Sequence, residues 1–324
     1  MKTFWKVFIV SFISFFFAIS LGSYTYILES RHKMNSKVAE IENEDEVEDK
    51  ALKKPQVYTS LPEAFKKNNR VNVAVLGMED VRADTIMLAS FSPETKKVDV
   101  ISIPRDTYIH RKGYDGAEQR KINSIYGEHG IEGIKKAISH ILEGVPIHHS
   151  VMIDYEGVIN IIDSIGGVDV VVPFDMKYQD PTSTPPLNID IKKGSQTLDG
   201  KKSLDFLRYR KGNGRETGYI DGDLGRIKAQ QQFLTSFVNK TLSYRLPIVI
   251  KNSFNHIKTD ITLKEALSYG KNAIGIKSDN FSFIMLPGEA EFKRFNGKLL
   301  SYYIHDPLEV KKVLYEIYGV KKTP

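Results

Sequence analysis

The chain has 324 residues, 41% of them hydrophobic and 27% charged, which suits one large or two ordinary domains with real cores and excludes disordered and fibrous classes. It has no cysteine, so disulfides, iron–sulfur clusters, thiolate zinc sites and cysteine nucleophiles are ruled out. The net charge of +6 hides an asymmetry: Glu40 through Asp49 hold seven carboxylates and no Lys or Arg, leaving 46 basic against 33 acidic residues elsewhere, or +13, a body suited to phosphates, nucleic acid or a membrane surface.

In chain order, the first element is an uncharged Phe/Ile/Val-rich run from Val7 to Ile27, preceded by Lys2 and Lys6 and followed by Glu29, Arg31 and Lys33. At about 1.5 Å per residue it covers about 30 Å, one bilayer core. It is read as an uncleaved membrane anchor, with a signal peptide cleaved near Ser20-Leu21-Gly22 as the alternative. Lys2 and Lys6 balance Arg31, Lys33 and Lys37, so the flanking charges do not orient the segment. Arg31 to Tyr58 is charged and poor in aromatics, and reads as a solvated linker or short exposed helix, with Pro55 and Pro62 marking its exit.

From Val71 the pattern turns to folded structure. Val71, Val73 and Val75 alternate along a strand, and Thr85–Phe91 and Val98–Ile103 are two more, joined by a turn at Ser92–Lys97. Ile131, Ile134, Ile138, Ile141 and Leu142 recur at helical spacing and stop at Gly144; a strand near Val151–Ile153, a helix near Val158–Ile165 closed by Gly166-Gly167, and a strand Val168–Val172 ended by Pro173 follow. Asp175–Asp190, with Pro181, Pro185 and Pro186, is expected to be a long surface loop. Helices are expected over Lys201–Tyr209, Leu224–Leu242, Leu263–Ile274 and Pro307–Tyr318, and a strand over Phe281–Leu286. Alternating β and α units argue for an α/β layered fold with a mixed sheet, and no linker interrupts Val71–Tyr318, so one domain is expected.

Several chemical signatures are missing. There is no phosphate-binding GxxxxGK[ST], no GxGxxG after a strand, no HExxH and no GxSxG, and the adjacent His148-His149 reads as surface. What remains is Arg and Asp at the ends of elements. In Arg82-Ala83-Asp84 the strand period places Arg82 and Asp84 on one face, continued by Ile86 and Leu88. At Pro104-Arg105-Asp106 the proline stops pairing and throws Arg105 past the sheet edge, a common ligand position in α/β sheets; a local salt bridge is the plain alternative at each place. Leu207-Arg208-Tyr209-Arg210 and Asp223-Leu224-Gly225-Arg226, with Gln230 one turn beyond Arg226, form the densest region, and Asp223 is a candidate N-cap. Arg208 and Arg210 reach one ligand only if the helix ends between them. Arginines converging on a helix start suit a pyrophosphate, and carboxylates among them suit an intervening Mg2+. The basic residues punctuate separate elements instead of forming a stripe with aromatics, so nucleic acid is not expected as a partner.

The ordered set Val75-Leu76-Gly77, Arg82-Ala83-Asp84-Thr85-Ile86, Ser102-Ile103-Pro104-Arg105-Asp106-Thr107, Lys121-Ile122-Asn123, Gly166-Gly167-Val168, Leu198-Asp199-Gly200, Arg208-Tyr209-Arg210, Gly222-Asp223-Leu224-Gly225-Arg226 and Gln230-Gln231 resembles the LytR-CpsA-Psr family of cell-envelope glycopolymer transferases from about Val71 to Tyr318. The resemblance implies an α-β-α layered domain with a mixed central sheet behind one N-terminal transmembrane helix. The organisation is then a tail at 1–6, an anchor at 7–28, a charged extracytoplasmic linker at 29–69, the catalytic domain at 70–319 and a tail at 320–324. It also implies a single-pass protein of the cell membrane with its domain outside the cytoplasm. The activity implied is transfer of a phosphoglycan, such as wall teichoic acid or capsule, from an undecaprenyl-pyrophosphate carrier to peptidoglycan with Mg2+ assistance; a non-catalytic binder of such lipids and a pyrophosphatase are the alternatives. Carried over by position, Arg105, Arg208, Arg210 and Arg226 hold the pyrophosphate with Arg82 and Lys121 nearby, Gln230 bonds a phosphate oxygen or supports an Arg, and Asp84 places the metal. Asp84, Arg105 and Arg226 are the expected catalytic set.

This sequence departs from the family pattern at Gly77-Met78-Glu79-Asp80-Val81, which runs straight into Arg82 where the family has a longer loop. Glu79 takes the aligned carboxylate place and Asp80 adjoins it, so either is a candidate for the second metal ligand. Ala229 stands where an Arg is frequent. A lipid carrier also needs an apolar slot; Ile159, Ile161, Ile162, Val170 and Val172 are candidates for its lining, against the plainer reading as core.

Overall fold

The computed structural model describes residues 57–321 apart from 115, 183–185, 210, 215–217, 220–222, 242–245, 268–275 and 296–297. After helix α1 (Leu61–Lys67), strands β1 (Val71–Glu79), β2 (Arg82–Phe91) and β3 (Val98–Ile103) form an antiparallel meander. Helix α2 (Ile125–Ile141) leads to β4 (His149–Ile153), and α3 (Tyr155–Ser164) follows it directly. The central sheet has the order β10-β3-β2-β1-β4-β9, with β9 (Lys258–Thr259) and β10 (Phe281–Met285) at its edges. Strand β4 is parallel to β1, and β10 is parallel to β3. Four strands therefore point the same way, and the ends of β1, β3, β4 and β10 line one edge of the sheet.

Both faces of the sheet are covered, because β1 and β2 alternate two sets of apolar residues. Val71, Val73, Val75, Met87, Ala89 and Phe91 pack toward α3, α4 (Gly200–Arg208), α5 (Asp223–Thr241) and α6 (Leu246–Ser253). Ala74, Leu76, Ile86 and Leu88 pack toward α1, α2 and α7 (Pro307–Tyr318). This is the expected α/β fold with a mixed central sheet. The apolar run at 7–27 lies outside the described residues; among those described, no helix is long and apolar enough to cross a membrane.

Three stretches differ from the reading of the sequence. The supposed long loop at 175–190 is a hairpin of β6 (Met176–Asp180) and β7 (Leu187–Ile191), followed by β8 (Gly194–Leu198), which pairs with β5 (Val168–Val172). Met176, Leu187, Ile189 and Ile191 are buried at alternate positions, and Pro181 and Pro186 fall between the two strands instead of marking an unstructured segment. A second hairpin, β11 (Gly288–Phe295) with β12 (Lys298–His305), stands between β10 and α7 where no strands were expected. Residues 57–69, read as the end of the linker, include α1, whose Leu61 and Ala64 are buried and whose neighbour Phe65 meets Tyr318 edge-on. Of the residues proposed to line a lipid slot, Ile161, Ile162, Val170 and Val172 are core, with Ile159 packed against it.

Candidate active site

The geometry of the site begins with a β-bulge. Gly77 pairs with Thr85 but Met78 pairs with Ala83, so Asp84 is an extra residue on β2. The bulge reverses the alternation below it: Ala83, not Asp84, shares a face with Ile86 and Leu88. The expectation that Arg82 and Asp84 continue the face of those residues therefore fails. Bulges re-aim side chains beside functional sites, and this one delivers a carboxylate to the edge where the parallel strands end.

Three neighbouring strand ends supply the other groups. Arg105 follows β3 and donates from Nη1 to Oδ1 of Asp84 at 3.0 Å, the two side chains being 12% and 1% exposed. Glu79 ends β1, and Tyr155, just beyond β4, donates its hydroxyl to Glu79 Oε1 at 3.0 Å. Asp154 fixes Tyr155 at the head of α3 by accepting from the Gly157 amide at 2.8 Å. Helix α4, capped by Asp199 through the Lys202 amide, crosses α3 so closely that a Cβ on Gly200 would stand 2.3 Å from the Ile159 carbonyl oxygen. The same pairing sets Arg208, the last residue of α4, over the Tyr155 ring at 5.4 Å.

The electrostatics are unbalanced in a telling way. Burial pushes the Asp84 carboxyl up, Arg105 draws it back, and the adjacent Glu79 pushes it up again, leaving it at about 7. Its Oδ2 is buried without a hydrogen-bond partner. Burial lowers the Arg208 guanidinium while Asp205 and Glu79 favour its charged form, and its Nε is likewise buried with no partner. A carboxylate pair with an unpaired buried oxygen is the donor set a hard divalent cation requires, and Mg2+ takes one or two carboxylates plus water and phosphate oxygens. The residues present fit Mg2+. Among the described residues no cluster of three or more His, Asp or Glu could hold a metal.

The other residues singled out from sequence fall differently. Asp80 is exposed at the hairpin tip with φ 54°, so Glu79 is the carboxylate that meets Asp84. Arg82 is exposed opposite Glu79 in the register. Lys121 is buried, but Asp106 at 3.0 Å and Glu118 at 3.2 Å already match its charge, so it ties the loop after β3 in place. Helix α5 carries Arg226 and Gln230 at helical spacing; their side chains, and Arg210 altogether, lie outside what is described. Tyr155 belongs to the site and was missed from sequence, because one tyrosine after a strand has no spacing to flag it. Its only signal is the Asp154 cap that places it at a strand end.

Comparison with known proteins gives concordant results. The profile of the LytR_cpsA_psr family matches residues 24–318. The polyisoprenyl-teichoic acid–peptidoglycan teichoic acid transferase TagU of Oceanobacillus iheyensis is 29% identical over 82% of this chain and 80% of its own length. The corresponding transferase TagV of Bacillus subtilis is 26% identical over 76% of this chain, which spans 63% of that relative. The crystal structure of B. subtilis TagV superposes with a TM-score of 0.61 at 24% identity, covering 78% of this chain and 98% of that one, a likeness of fold.

Proposed function

Because the chain belongs to the LytR-CpsA-Psr family, we propose that it transfers a phosphoglycan of the wall teichoic acid or capsule kind from an undecaprenyl-pyrophosphate carrier to a peptidoglycan hydroxyl. The names of the relatives support the reaction class. The observation that carries the reading here is the Glu79–Asp84 pair held against Arg105 beside Arg208 at the sheet edge. In the proposed reaction an acceptor oxygen forms a bond to the phosphorus bearing the glycan, the bond from that phosphorus to the bridging oxygen breaks, and polyprenyl phosphate leaves with the electron pair. The product is a phosphodiester, and the acceptor proton passes to solvent or a carboxylate.

Such a transfer needs positioning and charge neutralisation more than covalent participation by the protein. In this reading Arg105 and Arg208 grip pyrophosphate oxygens, with Arg210, Arg226 and Gln230 proposed as further phosphate contacts, and the guanidinium donors offset charge building on the leaving phosphate. Asp84 and Glu79 would hold Mg2+, which when bound neutralises phosphate charge. Tyr155 is a positioning residue: its hydroxyl aims the Glu79 carboxylate and its ring supports the Arg208 guanidinium. Residues 7–28 are proposed as a single-pass anchor with the folded domain outside the cytoplasm, where carrier and acceptor meet.

The test is incubation of the purified chain with a lipid-linked pyrophosphoryl glycan, Mg2+ and peptidoglycan. Covalent glycan on peptidoglycan with release of polyprenyl phosphate is expected. Tight binding without product would instead make the protein a lipid-pyrophosphate carrier, and glycan release unchanged by acceptor would make it a hydrolase.

A further inference from the structure

We propose that the β11–β12 hairpin is a membrane-docking element whose Phe292–Arg294–Leu299 face seats on an anionic phospholipid surface and holds the arginine–carboxylate end of the sheet toward the bilayer. Its distal stretch reads Phe292-Lys293-Arg294-Phe295-Asn296-Gly297-Lys298-Leu299-Leu300; Lys293 pairs with Glu291 at 3.2 Å, which leaves Arg294 and Lys298 as its surplus cations. Phe292 is 71% exposed and Leu299 58%. Phe292 pairs with Ser301 and Arg294 with Leu299, so the period of two puts Phe292, Arg294 and Leu299 on one face of the ribbon. Large apolar side chains interleaved with cations suit the boundary between acyl chains and anionic headgroups. The surplus positive charge of Arg294 and Lys298 would repel the same stretch of a second copy.

The base of the hairpin is fastened to the site. The Tyr303 amide donates to the Asp106 carbonyl, and the Tyr108 amide donates to the Tyr303 carbonyl, both at 2.9 Å. The buried Tyr302 donates its hydroxyl to the Ala117 carbonyl at 2.8 Å. These bonds clamp the loop that begins with Arg105, so the orientation of the hairpin is the orientation of the site.

The proposed anchor joins the fold at the other end of the sheet. Tyr58 pairs with Val320 near the start of β1, and Glu79 closes the same strand, so the chain enters the fold about 25 Å from the site at strand rise. The roughly 30 residues between Ile27 and Tyr58 reach about 100 Å when extended. An anchor joined at that distance does not by itself set which way the site faces, and a second contact at the site end would hold it against the surface where a lipid-linked substrate resides. The inference leans on the proposed anchor only for this last step.

The absence of cysteine makes Leu299→Cys a unique labelling position on an exposed side chain, with the equally exposed Val171→Cys on β5 as reference. The full chain carrying a polarity-sensitive dye at either position is reconstituted into phosphatidylglycerol or phosphatidylcholine vesicles. In phosphatidylglycerol the Leu299 dye shifts to the blue and is quenched by headgroup-level nitroxide lipid about three-fold more than the Val171 dye, as insertion by about 5–10 Å requires. Added R294E lowers the docked fraction about five-fold, and high salt lowers it as well. Flotation of the chain with vesicles reports the anchor separately. A chain that floats while its Leu299 dye stays as open to aqueous iodide as the Val171 dye refutes the hairpin and keeps the anchor. A chain that does not float with phosphatidylglycerol vesicles refutes both, and shielding that grows with chains per vesicle without nitroxide quenching means a second copy covers this face and overturns the proposal.

Discussion

Two largely buried arginine–aspartate pairs stand at opposite ends of the central sheet. Arg70 and Asp99 form the pair where β1 begins, and Arg105 and Asp84 form the pair where β3 ends. The first is closed: Arg70 also donates from Nε to the Ser90 hydroxyl at 2.8 Å and from Nη2 to the Ser90 carbonyl at 3.3 Å, and lies over the Tyr318 ring. The second is open, because Asp84 keeps a buried oxygen without a partner and faces a second carboxylate, Glu79. One residue pair thus serves as a fastener at one end and as part of a charged receptacle at the other. The difference lies in the surplus negative charge, not in the pair.

The contrast predicts unequal responses to the same mutation. Arg70→Ala strands a buried aspartate in a complete network and should cost about 3–5 kcal/mol of stability, read as a large fall in Tm, with specific activity of the folded fraction unchanged. Arg105→Ala should lower transfer about 100–1,000-fold, the effect of removing one aimed donor to developing charge, with a smaller loss of Tm because Asp84, at about 7, takes up a proton readily. If the two variants lose stability and activity in the same proportion, the distinction between fastener and receptacle collapses. Glu79→Gln relieves the crowding of carboxylates, so it should raise the Mg2+ needed for half-maximal transfer by about ten-fold while leaving Tm equal or higher; a fall in Tm would show that Glu79 is structural.

The smallest effect concerns Asp260, which accepts from the Ser150 amide at 2.9 Å and from Lys135 at 3.1 Å and so pins β9 to β4 and α2. Burial opposes its ionisation, but the bonds from His149, Ser150 and Lys135 outweigh it and hold the carboxyl at about 2. A depressed carboxyl stabilises above its unfolded value near 4 and stops doing so as pH falls toward 2. Asp260→Asn should therefore lower Tm modestly at pH 7 and converge with the parent between pH 4 and 2. A difference in Tm that is constant across that window would remove the charge from the explanation.

The helices and central strands were legible because their apolar periods are long and regular: Val98–Ile103, Val168–Val172 and Pro307–Tyr318 appear as read. The hairpins at 176–191 and 288–305 were not, since prolines and charges at alternate positions imitate a loop when the buried partner face is unknown. At the site, Arg105 was visible as a residue thrown past a strand end by Pro104. The place of Asp84 depends on a one-residue bulge, a property of two strands paired together that neither strand's sequence shows. The choice between Glu79 and Asp80 likewise waits on where the turn falls, and Tyr155, set at a strand end by the Asp154 cap, meets Glu79 only once β4 lies beside β1.

Transfer of glycan from a lipid-linked pyrophosphate to peptidoglycan, measured side by side for the parent chain, Arg105→Ala and Arg70→Ala at matched folded concentration, tests the site assignment most directly. Loss of product about 100-fold or more in Arg105→Ala with parental turnover in Arg70→Ala is the expected result. Parental turnover in Arg105→Ala would place the chemistry elsewhere in the molecule.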